Sequence, residues 1–244
     1  MNLLLNFSYD GTNFYGYQKQ PNKRTIQGEI EKVLSILFQE EVKIYASGRT
    51  DAKVHAINQY ANFKIEHLKF DTKDLCYRMN KLLPNDIVIK KISIVDDNFH
   101  ARFNAKYKIY EMLINLKEKN PFYRNYVVDS FSNVSIKKCK EIAKYFIGKK
   151  NFMNYCSKEE DENNFIRTIK KIKIFKNNGV LHMIFVGDGF MTYQIRMISA
   201  NILLYGQNKI SKDEIIKRLD FVDKRDVSPY CLSAEGLYLV NVIY

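Results

Sequence analysis

The chain has 244 residues, enough to bury a substantial core in one large domain or two modest ones, and 46% of them are hydrophobic, which excludes a disordered polymer. Lys plus Arg exceed Asp plus Glu by 39 to 27, and this net charge of +12 favours a polyanionic partner through phosphate neutralisation, with a membrane surface as the competing partner. No run of about 18 apolar residues and no basic leader predict a cytoplasmic protein without a membrane span. The scattered Cys76, Cys139, Cys156 and Cys231 and the single His55, His67, His100 and His182 argue against zinc, any other metal centre and a disulfide frame.

Residues 2–8 alternate, with Leu3, Leu5 and Phe7 on one face, and predict a strand. A loop over 9–24 follows, holding two Gly, one Pro and four aromatic residues. Rings set among basic and amide side chains suit stacking on unpaired bases and hydrogen bonding to a nucleic-acid backbone, which makes Tyr17 and Gln18 candidates; the alternative is a loop folded onto its own rings. Thr25 caps a predicted helix carrying Ile26, Ile30, Val33, Leu34 and Leu37 at a 3.6-residue period, and Arg24 at its N-terminus suits a phosphate.

Val42, Ile44 and Ala46 alternate as a strand, and Ile57, Tyr60 and Phe63 resume that pattern, so the polar stretch 46–56 between them reads as a turn pinned at both ends. Within it Asp51 stands two residues from Arg49, beside Gly48 and Thr50. An Arg this close keeps a partly desolvated carboxylate ionised, and an ionised Asp on a fixed turn is a nucleophile or a base; the plainer reading is an Arg–Asp surface pair.

Asp71 or Thr72 caps a second helix with Leu75, Met79, Leu82 and Leu83 on one stripe and Pro84 closing it, and 86–95 alternates as a strand. The first hundred residues therefore read β-α-β-β-α-β, a ferredoxin-like arrangement. A polar-aromatic connector at 99–105, containing Arg102, leads to a strand over 106–116 in which Tyr110 is either a packing ring or a phenol available for stacking and proton transfer.

Ser135 caps a helix with Ile136, Cys139, Ala143, Phe146 and Ile147 inward and Gly148 as its stop; a loop over 149–156 and a polar, acidic loop over 158–164 follow. A strand runs from Arg167 to Phe175, Asn177, Asn178 and Gly179 form a hairpin turn, and 180–186 returns. Residues 187–198 open a long helix with Ile195, Ile198, Ile202 and Leu203 inward and Arg196 off that stripe. Ser211 and Glu214 form a capping box for a last helix, and 233–244 reads as a closing strand.

The segment G-R-T-D-A-K-V-H-A at 48–56 resembles the signature G-R-T-D-A-G-V-H-A of the TruA family of tRNA pseudouridine synthases, matching eight of nine positions. The resemblance recurs at Y-D-G-T-N-F-Y-G-Y-Q-K-Q (9–20), R-T-I-Q (24–27), H-A-R-F-N-A (100–105), G-D-G-F-M followed by I-R (187–196) and A-E-G-L-Y-L-V-N-V-I-Y (234–244). Three departures stand out: Lys53 where Gly is usual, Tyr17 for Trp, and Ser233 for Pro. A positive φ at Lys53 would strain it by roughly 1–2 kcal/mol.

The resemblance implies the pseudouridine synthase fold: α+β, two ferredoxin-like or RRM-like α/β lobes with antiparallel sheets flanking a central basic cleft. Residues 1–100 would carry the catalytic Asp51, and 101–244 the active-site Tyr110 and Arg196. It implies isomerisation of uridine to pseudouridine at tRNA positions 38–40 in the anticodon stem-loop, by a covalent or a glycal route, with no cofactor and as a homodimer. Arg24, Arg49, Lys53, His55, Tyr17, Gln18 and Arg102 are the expected RNA contacts. The rival readings are the same chemistry on another RNA, such as ribosomal RNA, and a catalytically silent RNA-binding module.

Overall fold

The computed structural model describes residues 1–130, 133–157, 165–220 and 223–244. Its chain divides into two compact units, Met1–Lys106 with Tyr238–Tyr244, and Tyr107–Leu237. Ten strands and five α-helices are described, and most strand pairs are antiparallel, so the protein is a mixed α/β one.

In the first unit β1 (Asn2–Tyr9) pairs antiparallel with both β3 (His55–Lys64) and β4 (Ile87–Val95). Its alternation does what the period-2 pattern requires: Leu3, Leu5 and Phe7 are wholly buried, each such burial contributing about 2 kcal/mol. β3 is shared by two further strands. Its C-terminal half pairs with β2 (Tyr45–Ala46), and its first residues pair in parallel with β10 (Leu237–Ile243), Tyr238 opposite His55.

The strand expected from Val42 onward shrinks to the two residues of β2, although Val42 and Ile44 are buried. Side chains of α1 (Ile26–Phe38) explain the difference: Val42 N–H donates to Ser35 Oγ and Ile44 N–H to Glu31 Oε1, so those amides are taken before a ladder can use them. Thr25 caps α1, its Oγ1 accepting from Gly28 N–H, and Ile26, Ile30, Val33, Leu34 and Phe38 are buried. Asp71 caps α2 (Thr72–Leu82) through bonds from the amides of Lys73 and Asp74. Leu82 is exposed, because the chain turns extended at Leu83 before Pro84 and carries Leu83 inward in its place.

In the second unit β5 (Tyr107–Asn115) pairs antiparallel with β9 (Val180–Gly187), β9 with β8 (Ile166–Asn177), and β8 with β7 (Gly148–Asn151); β6 (Val128–Asp129) adds a short parallel pair to β5. The β8–β9 hairpin turns at Asn178 (φ +48°) and Gly179 (φ +84°), both in the left-handed region that a two-residue loop of this twist demands. Ser135 caps α3 (Ile136–Ala143), which buries Cys139, Ile142 and Ala143. A 3-10 turn at Lys144–Phe146 then buries Phe146, leaves Ile147 exposed, and ends before Gly148 at φ +108°.

The long helix α4 (Gln194–Gly206) begins at Gln194, not Gly187, since Tyr193 takes a left-handed φ of +65° that no helix continues through. α5 (Lys212–Asp220) starts where the capping box placed it, with Glu214 N–H donating to Ser211 Oγ at 3.1 Å. The acidic loop expected at 158–164 lies outside the described residues. No helix among the described residues is long and apolar enough to cross a membrane.

Candidate active site

Asp51 sits half-buried on the turn between β2 and β3, and its carbonyl accepts from Val54 N–H at 3.2 Å. Buried polar groups fix the turn from beneath. Tyr9 Oη and Thr50 Oγ1 are 2.7 Å apart, and burial pushes the Tyr9 phenol up to about 12, so it stays protonated at neutral pH. Gln59, wholly buried on β3, accepts from Ser47 Oγ (2.6 Å) through its Oε1 and donates from Nε2 to Gly48 O (2.9 Å). These bonds tie the start of the turn to β3 and Thr50, next to Asp51, to β1.

Two glycines of the 9–24 loop also close on the turn. A Cβ on Gly11 would stand 2.1 Å from Val54 O, and one on Gly16, at φ +94°, would stand 3.0 Å from Thr50 O and 3.2 Å from Ala52 N. Tyr17 N–H donates to Thr50 O, and Gly11 N–H to His55 Nδ1 at 3.1 Å. The carboxylate therefore stands on backbone gripped along its whole length.

Lys53, exposed in the same turn, has φ +67°. A side chain there costs about 1 kcal/mol relative to Gly. Lys53→Gly is accordingly expected to raise Tm by about 2–4 °C in a calorimetric scan. The same change removes a cation from the surface beside Asp51. If Lys53 meets a phosphate, the slope of log affinity against log salt for tRNA falls by about one.

The other expected RNA contacts divide by exposure. Gln18, Arg49 and Arg102 are exposed. Tyr17 and His55 are 2% and 3% exposed, so neither presents a ring face to a base. His55 stacks on Tyr238 with ring centroids 4.7 Å apart, beside the Asp10 carboxylate at 3.2 Å. The Tyr17 hydroxyl is buried without a hydrogen-bond partner among the described residues, and burial drives its pKa well upward. Arg24 is held by a two-pronged bond to Asp86 (2.8 and 2.9 Å) and a third to Glu29, over the Phe14 ring; it ties the loop to α1 and the start of β4.

In the second unit Tyr110 is a buried residue of β5, its ring edge-to-face with Phe190 at 5.4 Å. Arg196 is half-buried in the first turn of α4. Its Nε donates to Leu232 O at 2.7 Å, and its guanidinium lies 4.3 Å from the centre of the Tyr193 ring. The carbonyl and the ring hold the guanidinium, and Tyr193 itself takes a left-handed backbone.

The supports that local pattern could not reveal are Tyr9, Gln59, Gly11, Gly16 and Tyr193. A polar Gln on a strand face and a Gly-rich loop before a helix are the signals that were present. No group of three or more His, Cys, Asp or Glu suited to a metal ion occurs among the described residues.

The family described as tRNA pseudouridine synthase matches residues 6–104 and 142–244 of the chain. A protein of Dictyoglomus thermophilum named tRNA pseudouridine synthase A is 39% identical over 247 residues, covering 100% of both chains. Proteins of the same name from Anoxybacillus flavithermus (38% identical, 97% of this chain and 96% of the other) and Bacillus subtilis (37%, 100% and 99%) are similar along their length.

Proposed function

We propose, for a chain that belongs to the tRNA pseudouridine synthase family, that Asp51 supplies the reacting carboxylate and that the uridines converted are those at tRNA positions 38–40 in the anticodon stem-loop. The chain is an isomerase that acts on tRNA. The reaction breaks the bond between ribose C1′ and uracil N1 and forms one between C1′ and C5. The C5 hydrogen leaves, N1 ends with a hydrogen, and nothing is oxidised or reduced.

The observation that carries the assignment is the clamped turn: a half-buried carboxylate on backbone packed by Gly11 and Gly16 and bonded to Tyr9 and Gln59. A nucleophile or base needs a fixed approach to its target atom, because loose placement costs orders of magnitude in rate. The target nucleotide has to leave its stack to meet it, and a loop or stem-end uridine is the cheapest to extrude.

Tyr110, whose ring is buried against Phe190, we assign to proton transfer and not to stacking, and Arg196 to pairing with carboxylate charge. Gln18, Arg49, Lys53 and Arg102, being exposed, would meet the RNA backbone, while Tyr17, His55 and Arg24 hold the turn and the loop that the RNA meets. We read each unit as a ferredoxin-like lobe, and the working protein as a cytoplasmic homodimer. The order β4-β1-β3-β2 with two intervening helices supports that reading for the first unit.

The test is an unmodified tRNA transcript incubated with purified protein and mapped for pseudouridine. Conversion at 38–40 is the expected result. Conversion only elsewhere overturns the anticodon-arm assignment, and conversion nowhere overturns the activity.

A further inference from the structure

Three rings on the first unit form a row at the surface, and none of them has a part in the chemistry proposed above. Tyr45 and His100 have centroids 5.6 Å apart, His100 and Phe103 4.4 Å, and the Arg102 guanidinium lies 5.8 Å from the Phe103 ring centre. Phe103 is 76% exposed and Tyr45 49%, and both touch His100, so these rings are grouped at the surface and not scattered singly.

The row is held from below by a buried amide relay. Asn62 Oδ1 accepts from Ala101 N–H at 2.8 Å, and Asn62 Nδ2 donates to Asn2 Oδ1 at 3.0 Å. Asn2 Nδ2 in turn donates to the carbonyls of Asp96 and Phe99, and Tyr244 Oη to Ala101 O. Asn62 is also the β3 residue opposite Tyr45 in the ladder with β2, so one residue sets both ends of the ring row. Arg102 N–H to His100 Nδ1 and His100 N–H to Asn104 Oδ1 fix the connector's own shape.

We propose that Tyr45, His100 and Phe103 form a stacking platform for an unpaired nucleotide of the RNA substrate other than the one converted, with Arg102 on its phosphate. This rests on the tRNA reading above. Exposed rings beside a guanidinium are the pair of features that take a base and its phosphate together, and the excess positive charge of the chain favours that occupant.

The chain contains no Trp, so Phe103→Trp introduces a sole indole at the platform. Titrating this variant of the full chain with unmodified tRNA transcript is expected to quench the indole emission at least twofold. Phe103→Ala and Phe103→Leu are expected to weaken tRNA binding about tenfold at fixed salt, with Phe103→Trp within about twofold of wild type. Leu keeps the apolar bulk and lacks the π face, so a Leu variant binding like wild type overturns stacking, as does an indole indifferent to saturating tRNA. A Phe103→Ala variant that changes mass in solution while keeping its tRNA affinity overturns the proposal in favour of a contact between copies. The readouts need no turnover. A protein that binds tRNA through this platform yet makes no pseudouridine would sink the activity alone.

Discussion

Asp51→Asn is expected to lower pseudouridine formation by at least about a thousandfold while leaving tRNA affinity within about threefold and Tm within about 2 °C. The substitution keeps the volume and shape of the side chain and removes its charge. A neutral amide is neither a nucleophile towards ribose nor a base for a sugar proton, so either chemical route stops. The turn itself has little reason to move. The bonds through Thr50 Oγ1, Gly48 O, Thr50 O and the carbonyl of residue 51 are left in place by the exchange, and Asn is at ease in turns. Single-turnover assays with enzyme in excess, read by mass spectrometry of the digested tRNA, separate the chemical step from binding. Turnover within tenfold of wild type would remove Asp51 from the reaction. A parallel loss of affinity would mean that the carboxylate serves the fold or the RNA grip instead.

Local pattern carried the elements whose causes are local. Leu3, Leu5 and Phe7 announced β1, Thr25 and Ser211 announced two helix starts, and the Asn178–Gly179 pair announced a hairpin, because alternation, capping and left-handed turn preference each act within a few residues. The strand before Asp51 was overread for a reason several residues away: Glu31 and Ser35, on a helix, take the amides of Ile44 and Val42. The start of α4 is another such case: Gly187 is the last residue of β9, Asp188 N–H is bonded to Thr168 O on β8, and Tyr193 takes a left-handed backbone, so the helix waits until Gln194. The parallel pairing of Tyr238 with His55 joins residues from opposite ends of the chain, which no periodicity encodes.

The site shows the same division. Asp51 was visible as a carboxylate in a polar turn, and Tyr110 and Arg196 stood out by motif; the side chains and glycines that hold them did not. Tyr17 and His55 looked like RNA contacts because composition does not distinguish an exposed ring from one wedged under a turn. Exposure is a property of the finished packing, and Phe103, which local reading passed over, is among the rings left in the open.

Gly11→Ala is expected to lower the turnover rate by about a hundredfold and Tm by about 6–12 °C. Its Cβ would fall 2.1 Å from Val54 O, 2.6 Å from Val54 C and 3.0 Å from Lys53 C, and all three are backbone atoms that cannot swing aside as a side-chain end would. Overpacking of this kind costs about 3 kcal/mol, about 6–12 °C in Tm for a chain of this length. The strain is relieved by lifting the 53–54 backbone, which stands two residues from Asp51 and shares the bond from Val54 N–H to Asp51 O. Displacing a reacting group by about 1 Å is what turns a stability defect into a hundredfold loss of rate. Gly148→Ala is the comparison that separates the two effects. Gly148 has φ +108° with open space about its missing Cβ, so that change strains backbone in the second unit without pressing on anything. Assayed well below its Tm, Gly148→Ala should turn over within twofold of wild type, whereas Gly11→Ala should stay slow at every temperature. Equal rates for the two variants at a temperature where both are folded would show that the turn carrying Asp51 tolerates movement, and the rigid seat assigned to it would have no part in the reaction.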